Sequence, residues 1–552
     1  MANINSDHSI ENAALFSPKG QLIVNIVEKI SRDDPKRVYC ELPVSPTSYD
    51  DGVRSVTYEQ FANSVNGLAW WLTSQLGKST CFQTLMYNGP NDFRQNAMIL
   101  ASTKCGYKLL LASPRNQLSS LRSLICSLDP KAILSADLDS AFATRIQKAR
   151  PIPELLVPGV EEILSQSFPV YAYNKTFEEA KMDPILILHT SGTTNMPKPI
   201  TYTNDYVSAC THSLNLESPP GTENMDTVCE NKRFFVMMPP FHAGNLLPTF
   251  FYGLTHRTTI IFPPAHLPTT VEVFLDTIQN TLVDVAFIPP HFPQQITRNA
   301  EYLEIVRRQV KTIMSGGGHV PKKAGDILSL QVQLSIKYAS TELGSIPCTL
   351  IKGSLPSDNW SYINPHPAAG LSFQLHSTDK YGKVYEARIV RTQNAAEQPI
   401  FKLFTELDEF RTRDLFREHP ELPNMWQWCG RADNTIVLAT GANVSPEIME
   451  EGIAESPDIS GVLMVGNTRI RPAILIEHKS EKVSSKELLK RIWKTIDNLN
   501  SEYFEDFRIL KSHVLFTKGE SPMCRSLKGT VQRQATIDLY AEELDCLYSN
   551  SS

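Results

Sequence analysis

From Thr57 to Tyr338, short apolar runs alternate with stretches whose apolar residues recur at helical spacing. Phe61, Val65, Leu68, Ala69 and Leu72 share one face of a helix that Thr57 opens. Gln60, three residues after Thr57, completes a capping box, and Gly77 supplies the stop. An earlier helix is predicted over 21–30, followed by a Pro-containing connection. A strand at 84–87, a helix at 92–104, a strand at 107–112, a helix at 117–128 and a strand at 132–135 come next. This alternation with short connections predicts a parallel sheet covered by helices. Further buried strands are expected at 184–188, 234–238, 258–262, 283–288, 310–314 and 335–338.

Polar and glycine-rich residues follow these strands repeatedly: Thr190-Ser191-Gly192-Thr193-Thr194, Pro239-Pro240-Phe241-His242, Pro289-Pro290-His291, Ser315-Gly316-Gly317-Gly318 and Ala339-Ser340-Thr341-Glu342. In open α/β sheets ligands bind beyond the carboxyl ends of strands, so these loops are expected to line one cleft. From about residue 370 the texture turns to shorter, polar, β-like segments at 373–375, 385–390 and 401–404. A boundary is expected near 430–433. The roughly 120 residues beyond it suffice for a small domain, with a helix start at Ser445-Pro446-Glu447, strands at 462–465 and 473–476, and an amphipathic helix carrying Leu488, Leu489, Ile492, Trp493, Ile496 and Leu499. The expected fold class is therefore α/β: residues 1–430 form a large N-terminal domain of helix-covered sheets plus a β-subdomain, and residues 431–552 form a smaller α+β domain.

Composition changes this picture little. A length of 552 residues calls for more than one domain. A net charge of −6 leaves no nucleic-acid footprint. No apolar stretch is long enough to span a bilayer, and Met1–Asp7 has no basic region followed by an apolar run, so no secretory signal is read. Ten scattered cysteines without a C-x-x-C pair are expected to be reduced and mostly buried. Together these favour a cytoplasmic protein that meets neither nucleic acid nor membrane.

The stretch 190–198 carries the most pointed chemistry. Four hydroxyl side chains and a glycine within five residues, then Lys198, follow an apolar strand. Such a loop can offer backbone N–H groups, hydroxyls and one ammonium to a polyanion. A plain polar turn has the same composition, so the loop alone leaves both readings open.

Five segments in order resemble the adenylate-forming superfamily of acyl- and aryl-CoA ligases, luciferases and synthetase adenylation domains. Thr190–Lys198 is similar to its phosphate loop, Tyr338-Ala339-Ser340-Thr341-Glu342 to its Tyr-Gly-x-Thr-Glu motif, and Arg411-Thr412-Arg413-Asp414 to its Tyr-x-Thr-Gly-Asp motif. Gly430-Arg431-Ala432-Asp433 resembles the start of its hinge, and Lys528-Gly529-Thr530-Val531-Gln532-Arg533 the C-terminal lysine segment of fungal members. Within the superfamily, Thr57-Tyr58, Ser113-Pro114-Arg115-Asn116 and the 190–200 loop are most like fungal synthetase-like carboxylic acid reductases, which carry thiolation and reductase domains after the adenylation domain. With no such domains after the lysine segment, an isolated adenylation domain or a truncated chain is expected.

The resemblance implies ATP and Mg²⁺ as cofactors and a carrier-domain phosphopantetheine thiol as acceptor, with a carboxylic acid as substrate and thiolation and reductase domains as partners. Thr190, Ser191, Gly192, Thr193 and Thr194, with Lys198, would hold phosphates. Glu342 would bind the metal. Tyr338, with Gly316, Gly317, Ala339, Ser340 and Thr341, would surround adenine, Asp414 would accept both ribose hydroxyls, Arg431 would reach the ribose or a phosphate, and Asp433 would be the hinge of a C-terminal domain that the resemblance implies is mobile. Lys528 would be the catalytic cation, with Lys518 and Arg525 as rivals, since Thr530 occupies the place of the usual lysine. His242 stands near the position where amino-acid-activating members place an aspartate, so a substrate without an α-amino group, an aryl or α-keto acid, is implied. Asn245, Pro289, Ser315 and Ala339 would complete the acid pocket. Asn195 replaces a usual glycine. A free-standing CoA ligase and a catalytically silent nucleotide-binding module remain alternatives.

Overall fold

The apolar runs assemble into two mainly parallel sheets. The computed structural model describes residues 19–549 except 115, 117, 137–139, 192–196, 354–356, 358, 380–381, 394–397, 440–442, 445, 481–482, 502–506 and 527–528. Lys528, Gly192, Thr193, Thr194, Asn195, Arg115 and Ser445 thus lie outside the described residues. The first sheet runs Glu154–Leu156, Ala132–Ser135, Thr84–Asn88, Lys108–Leu111, Pro184–Ser191, Pro197–Thr203. The second runs Gln333–Lys337, Thr312–Gly316, Val285–Ile288, Arg233–Val236, Thr259–Ile261, Val38–Pro43, Val53–Thr57. In each, all neighbours are parallel except the last pair. Parallel sheets need apolar cover on both faces, and here a continuous core including Tyr39, Phe61, Phe93 and Phe234 packs against both sheets. Separate clusters around Phe274 and around Ile125 cover the outer faces.

A five-stranded antiparallel sheet, Tyr362–Ile363, Trp426–Arg431, Glu409–Glu418, Gly382–Val390, Leu371–Asp379, forms the β-subdomain. The smaller C-terminal domain is built on Ile459–Val465, Ala473–His478 and Val514–Phe516, with apolar clusters on both faces. The helix Ser485–Asn500 buries Leu488, Ile492 and Ile496 there. The fold class is the α/β arrangement expected from the pattern.

Three local expectations need correction. The segment after the first helix, Ile23–Asp33, is not merely a connection: Val38–Pro43 and Val53–Thr57 pair as an antiparallel hairpin that extends the second sheet. Residues 401–404 are not β-like; Ile400–Leu403 is one helical turn after Pro399, a residue preset for helix entry. Five cysteines of the ten are buried, and all ten are free. Among the described residues no helix is long and apolar enough to cross a membrane.

The predicted capping box is present: Thr57 accepts from Gln60 N, and the Gln60 side chain accepts from Thr57 N at 2.9 Å, at the start of the helix Tyr58–Leu76. Thr57→Ala should lower unfolding stability by about 1 kcal/mol, read as a lower urea midpoint; an unchanged midpoint would show that the cap is redundant.

Candidate active site

The strands of the second sheet deliver their carboxyl ends to one edge, and the polar loops converge there. Thr312–Gly316 runs further than predicted, so Ser315 and Gly316 are its last residues. Gly317 follows with φ +83°, a left-handed conformation glycine adopts without strain. A Cβ on Gly316 would lie 2.7 Å from the Lys337 carbonyl, so the bare backbone is what allows these two strands to end side by side.

Gln333–Lys337 stops just before Tyr338. Ala339–Ser340 and Gly344–Ser345 then pair as a small hairpin, with Thr341 and Glu342 in its turn. Two tyrosines hold this turn, Tyr202 from the strand Pro197–Thr203 and Tyr206 from the helix Asn204–Ser213 that follows it. Tyr202 and Tyr206 stack at 4.2 Å, and their hydroxyls donate to the Thr341 carbonyl at 2.6 and 3.1 Å. Glu342, whose carbonyl also accepts from Tyr206 at 3.3 Å, is half-buried. The sequence gives no sign of this brace, because Tyr202 and Tyr206 lie far from the hairpin along the chain.

Asp414 is the centre of a second group. Tyr338 donates its hydroxyl to Asp414 Oδ2 at 2.8 Å, and Arg431 donates to Oδ1 at 3.0 Å across the strand pair. Trp428 Nε1 approaches Oδ1 at 3.4 Å. Burial pushes the Asp414 carboxyl up, opposed by Arg431. Burial also opposes the Arg431 charge, but Asp433 at 2.9 Å and Asp414 outweigh it and raise that group. Burial and then Asp414 raise the Tyr338 phenol well above its ordinary value. Arg411 faces away and pairs with Glu386.

A bulge aims Asp414. Arg388 pairs with Arg411 and Glu386 with Leu415, so three residues on one strand face Ala387 on the other. Thr412 Oγ1 donates to the Ala387 carbonyl at 2.8 Å and accepts from Asp414 N at 3.1 Å. Arg413 takes the strained place, φ +62°, where the resembling motif has glycine.

The segment 430–433 continues directly from this group. Gly430 has φ +143°, and a Cβ there would lie 2.8 Å from Glu447 Oε1. Both Glu447 carboxyl oxygens are shut off from solvent, and burial, aided by Glu450, pushes this carboxyl up to about 7. The helix Glu447–Ala454 also meets the large domain: His319 approaches Glu451 at 3.2 Å and Arg298 donates to the Glu455 carbonyl at 2.5 Å.

Between these groups lies a cavity of about 530 Å³. His242, Pro289, Gly316, Gly317, Ala339, Ser340 and Thr341 line it, as does the pair Gly529 and Thr530 from the C-terminal domain. Asn245 and Ser315, expected in the acid pocket, are not among its lining residues. Asn245 donates to the Met238 carbonyl at 2.9 Å and Ser315 to the Ile288 carbonyl at 3.1 Å, because a buried polar group must find a partner and the backbone is nearest. Thr190 and Ser191 end the strand Pro184–Ser191. Lys198 lies opposite Thr190 on the antiparallel neighbour and is exposed. His189, beside that loop, accepts from Ser113 N at 3.2 Å, and burial lowers it to about 4. The two rivals of Lys528 are engaged elsewhere: Lys518 pairs with Glu543 at 2.6 Å and Arg525 with Glu477.

The family profile described as AMP-binding enzyme matches residues 33–375, and the one described as AMP-binding enzyme C-terminal domain matches 433–552. The chain belongs to the AMP-binding enzyme family. It is 28% identical over 547 residues to the carboxylic acid reductase of Neurospora crassa, covering 96% of this chain and 51% of that protein. It is 27% identical over 550 residues to the adenylate-forming reductase Nps9 of Serpula lacrymans, covering 90% of this chain and 47% of that one. The chain therefore spans about half the length of these curated relatives. The adenylation domain of a carboxylate reductase from Mycobacterium chelonae shares the fold, with a TM-score of 0.70 at 15% identity over 96% of this chain and 91% of that one.

Two measurements probe the geometry. Arg413→Gly relieves a left-handed arginine whose side chain is exposed, and should stabilise the chain by about 1 kcal/mol, read as a raised denaturant midpoint; a drop would mean the arginine has an energetic role. Folded Glu447 holds its proton more tightly than the unfolded chain does. Its contribution is complete below the ordinary carboxyl value of 4.5 and is lost as pH rises through about 7. Across that window wild type should lose about 3 kcal/mol that Glu447→Gln keeps; parallel stability–pH curves for the two would refute the assignment.

Proposed function

We propose that this chain activates a carboxylic acid lacking an α-amino group, an aryl acid above all, by adenylation with ATP. The acyl-adenylate would then pass to the phosphopantetheine thiol of a carrier domain, for reduction by a further domain. The observation that carries this reading is the cavity itself. It joins His242, the Gly316–Gly317 strand end, the Ala339–Thr341 hairpin and Gly529–Thr530, and no carboxylate lines it among the described residues. An α-ammonium brought into it would lack a counter-ion, which burial penalises heavily. Apolar walls from Phe234, Met238, Phe251 and Phe287 suit a ring. The relatives named for carboxylic acid reduction support the downstream steps.

In this reading the acid lies in the cavity and its carboxylate oxygen attacks the α-phosphorus, releasing pyrophosphate. An anion attacking a polyanion needs orientation and charge neutralisation more than covalent chemistry. Thr190 to Thr194, with Lys198, hold phosphate oxygens. Asp414 accepts from the ribose hydroxyls while Arg431 balances its charge. Tyr338 and the Gly316–Gly317 backbone flank adenine. Lys528, next to the cavity-lining Gly529, neutralises charge at the reacting oxygens, and Asp433 serves as hinge between a domain ending near residue 430 and the mobile lid beyond it. Glu342 fits Mg²⁺, which would supply charge neutralisation. No cluster of three or more His, Cys, Asp or Glu among the described residues could hold a metal ion, as suits an ion held by one carboxylate and phosphate oxygens.

Acid-dependent exchange of labelled pyrophosphate into ATP, run over benzoic, cinnamic, indole-pyruvic, aliphatic and α-amino acids, tests this. Aryl acids should support exchange; a preference for α-amino acids, or no exchange at all, would overturn the proposal. Efficient thioester formation with free CoA would instead favour a CoA ligase. Lys528→Ala and Glu342→Ala should each slow exchange by about 10²-fold or more, and full activity in both would refute these assignments.

A further inference from the structure

The enclosed end of the cavity carries a charged group that adenylation does not use. Lys337, one residue before Tyr338, lines the cavity together with Tyr252, Cys210, Leu214, Phe234 and Phe251. Both Lys337 and Tyr252 are buried, unlike Gly317, Gly529 and Thr530 at the open end. Lys337 Nζ lies 2.5 Å from Asp226 Oδ1, and the Tyr252 hydroxyl donates to the same oxygen. Asp226 is fully buried, and its Oδ2 has no hydrogen-bond partner among the described residues. His256 lies against Tyr252 and is kept neutral by burial, pushed down to about 4. The group therefore holds one positive and one negative charge.

An ammonium carries three donors, and among the described residues Lys337 uses one, to Asp226. The lining near Lys337 is otherwise apolar apart from the Cys210 thiol, the Tyr252 phenol and the Ser345 hydroxyl. Resting on the reading of the chain as an acid-activating enzyme, we propose that Lys337, backed by Asp226 and Tyr252, selects acids that carry a neutral hydrogen-bond acceptor, such as a hydroxyl, alkoxy or carbonyl oxygen, remote from the reacting carboxyl. Asp226 already balances the ammonium, so a second carboxylate would add an uncompensated buried charge. An apolar substituent would leave the Lys337 donors desolvated and unmet, and sites built for a hydrogen bond discriminate strongly against analogues that lack it.

The test is pyrophosphate exchange with matched benzoic and cinnamic acids bearing para or meta methyl, methoxy, hydroxyl or carboxylate groups. Wild type should favour the best methoxy or hydroxyl acid over its methyl partner by about tenfold or more in kcat/KM, with the dicarboxylates poorest. The double variant Lys337→Met with Asp226→Asn removes both charges together, and its ratio should fall toward one. Tyr252→Phe, a milder change, should lower the ratio in part and provides the readout if the double variant does not fold. Exchange with no acceptor preference in wild type, a preference for dicarboxylates, or a ratio unaltered in the variants would overturn this inference while leaving acid activation standing. Absence of exchange with every acid would instead sink the reading on which it rests.

Discussion

Asp414 has to be a carboxylate in a place that disfavours one. Burial raises the cost of its charge, and the structure answers with Arg431 at 3.0 Å and hydrogen bonds from Tyr338 and Trp428. Much of the local architecture follows from that compensation. The bulge opposite Ala387 turns Asp414 toward Tyr338, and Arg413 accepts a left-handed backbone to make the bulge possible. Tyr338 sits at the end of the parallel sheet and Arg431 at the end of the antiparallel one, so the group fastens the two layers together. The chain then leaves Arg431 directly toward the C-terminal domain, with Asp433 bound to the same guanidinium. Any change in the angle between the domains is thus felt first at the Asp414 carboxylate.

Legibility in the sequence followed the range of the interactions. Strand–helix alternation is a local pattern, and it located most of the parallel strands to within about two residues, though Pro184–Ser191 runs three residues further than expected and Glu154–Leu156 was not foreseen. The order of those strands was not legible, because it depends on pairings such as Cys40 with Ile260 that join distant segments. The hairpin Val38–Pro43 and Val53–Thr57 was missed for a related reason: Glu41 and Pro43 interrupt its apolar pattern, and only the sheet edge explains them. The residues at 401–404 misled through composition, since two phenylalanines read as strand where Pro399 starts a helical turn.

The site shows the same division. Motif order singled out Tyr338, Asp414 and Arg431, and the structure brings them together. It did not single out Tyr202 and Tyr206, which hold the Thr341 carbonyl, or Trp428 beside Asp414. These act from other elements and carry no short-range signature. Asn245 and Ser315 failed for the opposite reason. They follow strands in sequence, but their side chains turn back to satisfy carbonyls in the sheet.

The two ends of the cavity solve different physical problems. At the open end the walls are backbone from glycine-rich strand ends and from a loop of the C-terminal domain, surfaces that can approach and leave polyanions without large side-chain rearrangement. At the enclosed end the walls are aromatic, and their charge is fixed by the Lys337–Asp226 pair joining the sheet strand Gln333–Lys337 to the short helix Met225–Cys229. Such a pair costs desolvation and resists relaxation, which makes it a poor place for a moving reaction centre and a good one for a rigid template. Lys337 and Tyr338 are adjacent in the chain yet belong to different groups: Lys337 pairs with Asp226 and lines the cavity, while Tyr338 donates to Asp414. One strand end thus supplies the Lys337–Asp226 pair with one residue and the Tyr338–Asp414 bond with the next, and a shift of its register would disturb both together.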